Sequence, residues 1–208
     1  MFLFDNKKVL IIAPHMDDEI IGCSGTMILN RDFMSKLVVV YFTDDRNRKE
    51  ENNKVANALK IDKQYCLFLK DGFVSQSYEI GVNQLIDIIQ IERPDFVFVP
   101  HGKDNHVDHI ATHNIAMDAI GKARYWQTEH NVWKIKYIFE YEVWSFQENV
   151  SEVIDVSSVF DLKLALMKLY NSQLIDFDYL SYIQYVNGYR GLLYNKKGFA
   201  ECFMVRRI

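Results

Sequence analysis

Three short, unbroken apolar runs constrain this chain more than any other feature: Lys8–Ala13 (KVLIIA), Lys36–Phe42 (KLVVVYF) and Asp95–Pro100 (DFVFVP). Runs of this length suit strands covered on both faces, because an open-faced strand alternates apolar with polar residues. Helical patterns lie between them. Asp18–Asn30 reads as a helix, and Arg48–Lys60 as a polar, exposed one. Tyr78–Glu92 places Ile80, Leu85, Ile88 and Ile89 at helical spacing before Pro94 ends it. Gln64–Leu69 adds a shorter strand, Val107–Ala123 a further helix and Tyr137–Trp144 a fifth strand. This alternation predicts an α/β, Rossmann-like fold, a mostly parallel sheet with helices on both faces.

Beyond about residue 150 the pattern loosens. Ser157 or Ser158 suits the cap of a helix running to Tyr170, and Phe199–Val205 suits a last strand. The tyrosine-rich stretch Tyr179–Tyr194 between them fits core or interface, or a surface that stacks on sugar. With no Gly/Ser linker or repeat, a single domain over residues 1–208 is expected.

A net charge of −4 removes any broad electrostatic footprint for nucleic acid or anionic membrane. No run approaches the roughly 18 apolar residues of a membrane span. The N-terminal apolar stretch is interrupted by Asp5, Lys7 and Lys8, unlike a signal peptide. Cys23, Cys66 and Cys202 sit apart in apolar surroundings and read as free thiols, so a cytoplasmic location is expected.

Two polar clusters follow buried strands directly. Pro14-His15-Met16-Asp17-Asp18-Glu19 follows the first, and residues 100–109 (PHGKDNHVDH) follow the fourth. Ligands of open parallel sheets bind beyond the carboxyl ends of strands, where strand order reverses. If strands one and four are neighbours there, the clusters face each other. An imidazole and a carboxylate from the first loop and an imidazole from the second make a three-ligand catalytic metal site with a position left for water. Each residue has a plainer reading. Adjacent aspartates at a helix start serve equally as a cap and a dipole partner, and four of six histidines within residues 101–113 suit a solvated loop. The coincidence of two such clusters at strand ends favours the metal site.

PHMDDEIIGCSGT resembles the first motif of the PIG-L/LmbE-like deacetylases, usually His-Pro-Asp-Asp-Glu before a glycine-rich helix start. His106-Val107-Asp108-His109 resembles their second, His-Pro-Asp-His. Weaker likenesses extend over most of the chain: TDDR at 43–46, Arg48 with Glu51, RPDFVFVPH at 93–101, Tyr189-Arg190-Gly191 and Ala200-Glu201-Cys202-Phe203. The resemblance implies His15, Asp18 and His109 as metal ligands, zinc with iron(II) as the alternative. It implies Asp17 as the base acting on water, and His106 as the group that stabilises the oxyanion and protonates the leaving amine. The implied reaction is removal of acetyl from an N-acetylglucosamine-type amino sugar.

Met16 and Val107 replace the prolines of the two motifs, which alters loop rigidity more than chemistry. Arg48, Asp71 (in KDGF) and Arg190 are candidate substrate contacts. An ion pair on its own helix face is the equal alternative for Arg48. Glu19 suits helix-start stabilisation and Cys23 core packing. His101 and Asp104 border the crevice, Asp108 suits orienting His106 or His109, and His113 suits the surface. The partner is then a small amino-sugar conjugate, with room for a homo-oligomer. The same chemistry on another acylated amine or an antibiotic glycoside is an alternative. So is a non-catalytic nucleotide- or metal-binding module, against which PHMDDE stands where a dinucleotide site needs its glycine fingerprint.

Overall fold

The computed structural model describes residues 4–44, 48–125 and 133–208. Its strands are Lys8–Ala13 (β1), Lys36–Thr43 (β2), Lys63–Leu69 (β3), Phe96–Pro100 (β4), Tyr137–Tyr141 (β5), Glu152–Asp155 (β6) and Ala200–Arg207 (β7). Its helices are Asp18–Asn30 (α1), Lys49–Ala58 (α2), Tyr78–Glu92 (α3), Val107–Tyr125 (α4), Phe160–Met167 (α5) and Tyr179–Asn195 (α6).

The strands form one sheet in the order β3-β2-β1-β4-β5-β7-β6. β1 through β5 are parallel, and β7 runs antiparallel to both β5 and β6. In the central strand, Ile11 pairs with Val39 on one side and Phe98 on the other. Successive β1 side chains enter opposite layers: Val9, Ile11 and Ala13 one cluster, Leu10 and Ile12 the other. Full burial of each large aliphatic side chain stabilises by roughly 1.5–3 kcal/mol, so a one-residue slip of β1 would exchange both sets. One layer packs under α1, α5 and α6, and the other under α3 and α4.

From β1 the chain builds outward through β2 and β3, then crosses back to place β4 and β5 on the other side. Strand order therefore reverses between β1 and β4, the adjacency that brings the two polar loops together. The approach of α1 to the sheet is tight there. A Cβ at Gly22 would stand 2.2 Å from a Tyr141 ring carbon, and the Tyr141 hydroxyl donates to the Ile12 carbonyl at 2.8 Å.

Some elements differ from the sequence reading. β5 stops at Tyr141 instead of continuing to Trp144, because the chain turns away: the Trp144 N–H donates to Asp104 (2.9 Å) and Glu142 accepts from the Gln147 N–H (2.7 Å). Neither Ser157 nor Ser158 caps α5, which starts after Val159 and ends at Met167; the Ser157 hydroxyl accepts from the Phe199 N–H at 2.9 Å. The tyrosine-rich stretch is a helix, α6, and β6 is a short edge strand not read from the sequence. Cys23, Cys66 and Cys202 are free. Among the described residues no helix is long and apolar enough to cross a membrane.

Candidate active site

Residues 14–17 carry the chain from β1 into α1, and Asp17 adopts φ 139° with ψ −25°. That positive φ strains an L side chain. It is held from several directions. The Asp17 N–H donates to Glu19 Oε2 at 3.1 Å, while the Asp17 carbonyl accepts from Ile20 and Ile21 at 2.9 and 3.0 Å. The Asp17 carboxylate makes no cap hydrogen bond to α1. It accepts instead from Arg48 Nη1 at 3.1 Å, and the same nitrogen donates to the Met16 carbonyl at 2.8 Å. Asp18 also turns away from helix capping, accepting the His15 N–H at 2.9 Å. The plain capping reading therefore fails for both aspartates. Arg48 does not pair with Glu51, whose carboxylate takes the Ser172 N–H and hydroxyl at 2.9 and 2.7 Å.

The loop after β4 is organised by Asp104, which is 3% exposed. Its Oδ1 accepts the His106 N–H (2.9 Å) and lies 3.3 Å from His109 Nδ1, while Oδ2 accepts the Trp144 N–H (2.9 Å). His106 Nδ1 accepts the Asp108 N–H at 3.2 Å, leaving Nε2 as its free-facing nitrogen. Asp108 thus orients His106 through its backbone N–H and makes no hydrogen bond to the His109 ring, and its side chain serves elsewhere. Its carboxylate lies 3.4 Å from His15 Nε2 and accepts the N–H groups of Gly72 (2.6 Å) and Val74 (3.1 Å). Gly72 has a φ of 75°, which a glycine adopts without strain, and Asp71 beside it reaches His15 Nε2 at 3.1 Å.

The loops converge on Asp18. Its Oδ2 lies 3.2 Å from His15 Nδ1 and 3.3 Å from His109 Nε2. Ligand atoms of His15, His106 and His109 also lie within 4.8 Å of one another, so His106 stands beside the other two imidazoles. Both His109 ring nitrogens are buried and make no hydrogen bond of good geometry, although carboxylates face each at 3.3 Å. Buried polar atoms are rarely left so. Two imidazoles sharing one carboxylate, each backed by a further carboxylate, are the donor set and surroundings of a divalent cation such as zinc or iron(II). The residues present fit the group.

The charges agree with that demand. Burial works against an imidazolium at His109, but Asp18 and Asp104 outweigh it and raise the ring to about 9. Burial likewise opposes charge on His15, and Asp108, Asp18 and Asp71 overcome it. Burial, and then the Asp18 charge, push the Asp17 carboxyl well above its ordinary value against the pull of Arg48. Asp18 moves the other way, its burial outweighed by His109 and His15. Burial, followed by the neighbouring His109 and His15 charges, holds His106 below its usual value.

His15, Asp17, Asp18 and His106 line a hollow of about 150 Å³ whose other walls are Arg48, Asp71, Trp144 and Tyr179. Trp144 was hidden in the expected strand and Tyr179 in a stretch of similar tyrosines. Neither has a motif to mark it. Arg190 is not brought here. It is 4% exposed and holds Glu142 through Nε (3.0 Å) and Nη2, with the Gln147 carbonyl accepting at 3.0 Å. His113 is buried, not on the surface, and its Nδ1 donates to the Pro100 carbonyl at 2.9 Å. With His101 it lines a separate cavity of about 460 Å³. Val107 is 65% exposed at the first position of α4, where a proline is tolerated but not required. Asp45 and Arg46 of the TDDR likeness lie outside the described residues.

The family described as PIG-L, GlcNAc-PI de-N-acetylase, matches residues 10–120. A diacetylchitobiose deacetylase of Thermococcus kodakarensis is 24% identical over 197 residues, covering 81% of this chain and 71% of its own. The crystal structure of N,N'-diacetylchitobiose deacetylase from Pyrococcus horikoshii aligns with a TM-score of 0.84 at 23% identity, over 97% of this chain and 84% of that one. The 4-carboxy-2-hydroxymuconate hydratase GalB from Pseudomonas putida KT2440 aligns with a TM-score of 0.82 at 17% identity, over 97% and 98%.

Proposed function

The chain belongs to the PIG-L family, and from that premise we propose that it is a metal-dependent hydrolase that removes the acetyl group from an N-acetylated amino sugar. The observation that carries this reading is the Asp18 carboxylate shared by His15 and His109, with His109 nitrogens that lack a hydrogen bond. Those three residues would hold the ion. Zinc or iron(II) held there would supply Lewis acidity to the amide carbonyl and to water.

The chain's own groups do the rest. Asp17 takes a proton from the attacking water, and burial and the Asp18 charge raise its basicity for that role. Arg48 and the Glu19 contact hold that carboxylate at the pocket wall. His106, neutral at rest, carries its proton on Nε2, since Nδ1 accepts from Asp108. That N–H stabilises the developing oxyanion. The departing amine regains the proton that Asp17 has accepted, directly or through His106. Asp71 and Arg48 contact the substrate's hydroxyls. Asp104 and Asp108 orient His109 and His15.

GalB shows that this fold accompanies a hydratase as well as deacetylases. Incubating the metal-loaded protein with N-acetylglucosamine glycosides and assaying acetate and free amine tests the reading. Equimolar release supports deacetylation, and no release from any N-acetylated amine contradicts it.

A further inference from the structure

A second hollow lies beside the catalytic pocket and shares one wall with it. The Trp144 indole borders both, standing 5.8 Å from the Tyr179 ring on the catalytic side and 5.1 Å from Tyr182 on the other. The second hollow measures about 160 Å³, and Val143, Ser145, Phe146, Tyr182, Tyr185 and Val186 complete its walls. The two differ in chemistry. The catalytic pocket presents three aspartates and an arginine, whereas no side chain lining the second hollow is charged. Two of the hydroxyls at its walls are engaged. The Tyr182 hydroxyl donates to the Val143 carbonyl, and the Ser145 hydroxyl donates to the Lys103 carbonyl at 3.1 Å. Phe146 and Tyr185 are 38% and 65% exposed, so the hollow opens at the surface.

A volume near 150 Å³ with apolar walls holds a group the size of benzene. A second sugar would bring hydroxyls against carbon, and each unpaired one would oppose binding. We infer that the amino sugar carries an apolar aglycone of phenyl or short-alkyl size, and that this group lies in the hollow bounded by Trp144, Phe146, Tyr182, Tyr185 and Val186. The inference rests on the deacetylase reading, with the sugar in the catalytic pocket and its glycosidic bond directed past Trp144.

The test compares kcat/KM for methyl and phenyl N-acetylglucosaminides of the same anomer and for N,N'-diacetylchitobiose, in the wild type and in Tyr185→Glu. Tyr185 is an exposed helix position, so the variant should fold; its circular dichroism and melting check this. The expected result is a phenyl preference over methyl of roughly tenfold or more, chiefly in KM, and a ratio that collapses toward one in Y185E. Equal values for methyl and phenyl, a chitobiose rate above the phenyl rate, or a preference that survives Y185E would overturn the assignment. Calorimetric binding of phenyl and methyl glucosaminide to the metal-loaded protein separates the two claims. If no acetate is released at all, the deacetylase reading fails, while tighter phenyl binding still supports the apolar hollow and equal binding overturns it.

Discussion

The backbone N–H of Asp17 donates to the carboxylate of Glu19 at 3.1 Å, and this bond helps hold Asp17 at a φ of 139°. Glu19 is fully buried and also accepts from the Tyr170 hydroxyl at 2.7 Å. Its role is therefore to fix the turn that presents the proposed base, more than to favour the helix dipole. Strain of this kind collects where function requires it. Asp17→Gly should be more stable than Asp17→Ala by about 1 kcal/mol, because glycine adopts this φ freely. Urea unfolding of the two variants measures the difference.

Glu19→Ala should lower stability by roughly 2 kcal/mol or more, since the buried Asp17 N–H loses its acceptor and a cavity opens. Glu19→Gln keeps an oxygen for that N–H and should cost less. Urea midpoints of both variants against wild type give the ranking.

The proposed metal site makes a prediction at Asp104, 3.3 Å behind His109 Nδ1. Asp104→Asn should weaken zinc binding by about 10- to 100-fold while leaving His15, Asp18 and His109 in place. His109→Ala should abolish high-affinity binding. Competition with a chromogenic chelator reads both without reference to turnover.

Much of this arrangement was legible because β1, β2 and β4 are buried on both faces and so lack polar interruption. The motif residues stand where those strands end. α6 was not legible, since its inner face mixes Asn187 and Arg190 with Ile183 and Val186 while Tyr185, Leu192 and Leu193 face outward. Apolar residues on both faces blur the usual stripe. Asp108 was legible only in part: its backbone N–H does fix His106 through Nδ1, but its carboxylate reaches across to His15 and the Gly72 loop, contacts between segments far apart in sequence. Arg190 looked like a ligand-binding arginine because it sits in a motif, yet its guanidinium is consumed by Glu142.

That pair should be structural. Removing one partner of a buried ion pair leaves an uncompensated charge, so Arg190→Ala should destabilise by roughly 3–5 kcal/mol. An Arg190→Met, Glu142→Gln double variant should recover part of the loss. Chemical denaturation of the three proteins tests this.

Away from the site, Glu92 gives the pH dependence a definite sign. Burial opposes its charge, but Lys36, Tyr65 and Lys63 outweigh burial and lower it from 4.5 to about 2. A folded-state value below the unfolded one means stability that is fully present above about pH 4.5 and is lost as pH falls toward 2. Glu92→Gln should therefore be less stable than wild type at pH 6, with the gap closing toward pH 2. Thermal melts across that range follow it.

The central claim is that Asp17 acts on water beside an ion held by His15, Asp18 and His109. The most direct measurement is acetate release from a phenyl N-acetylglucosaminide by zinc-loaded wild type and zinc-loaded Asp17→Ala, with metal content determined on the same samples. The account predicts release by wild type that stops on chelation and returns with metal. It predicts an Asp17→Ala protein that retains a full equivalent of zinc and loses at least a hundredfold in kcat. Undiminished release by Asp17→Ala, or by metal-free wild type, would contradict it.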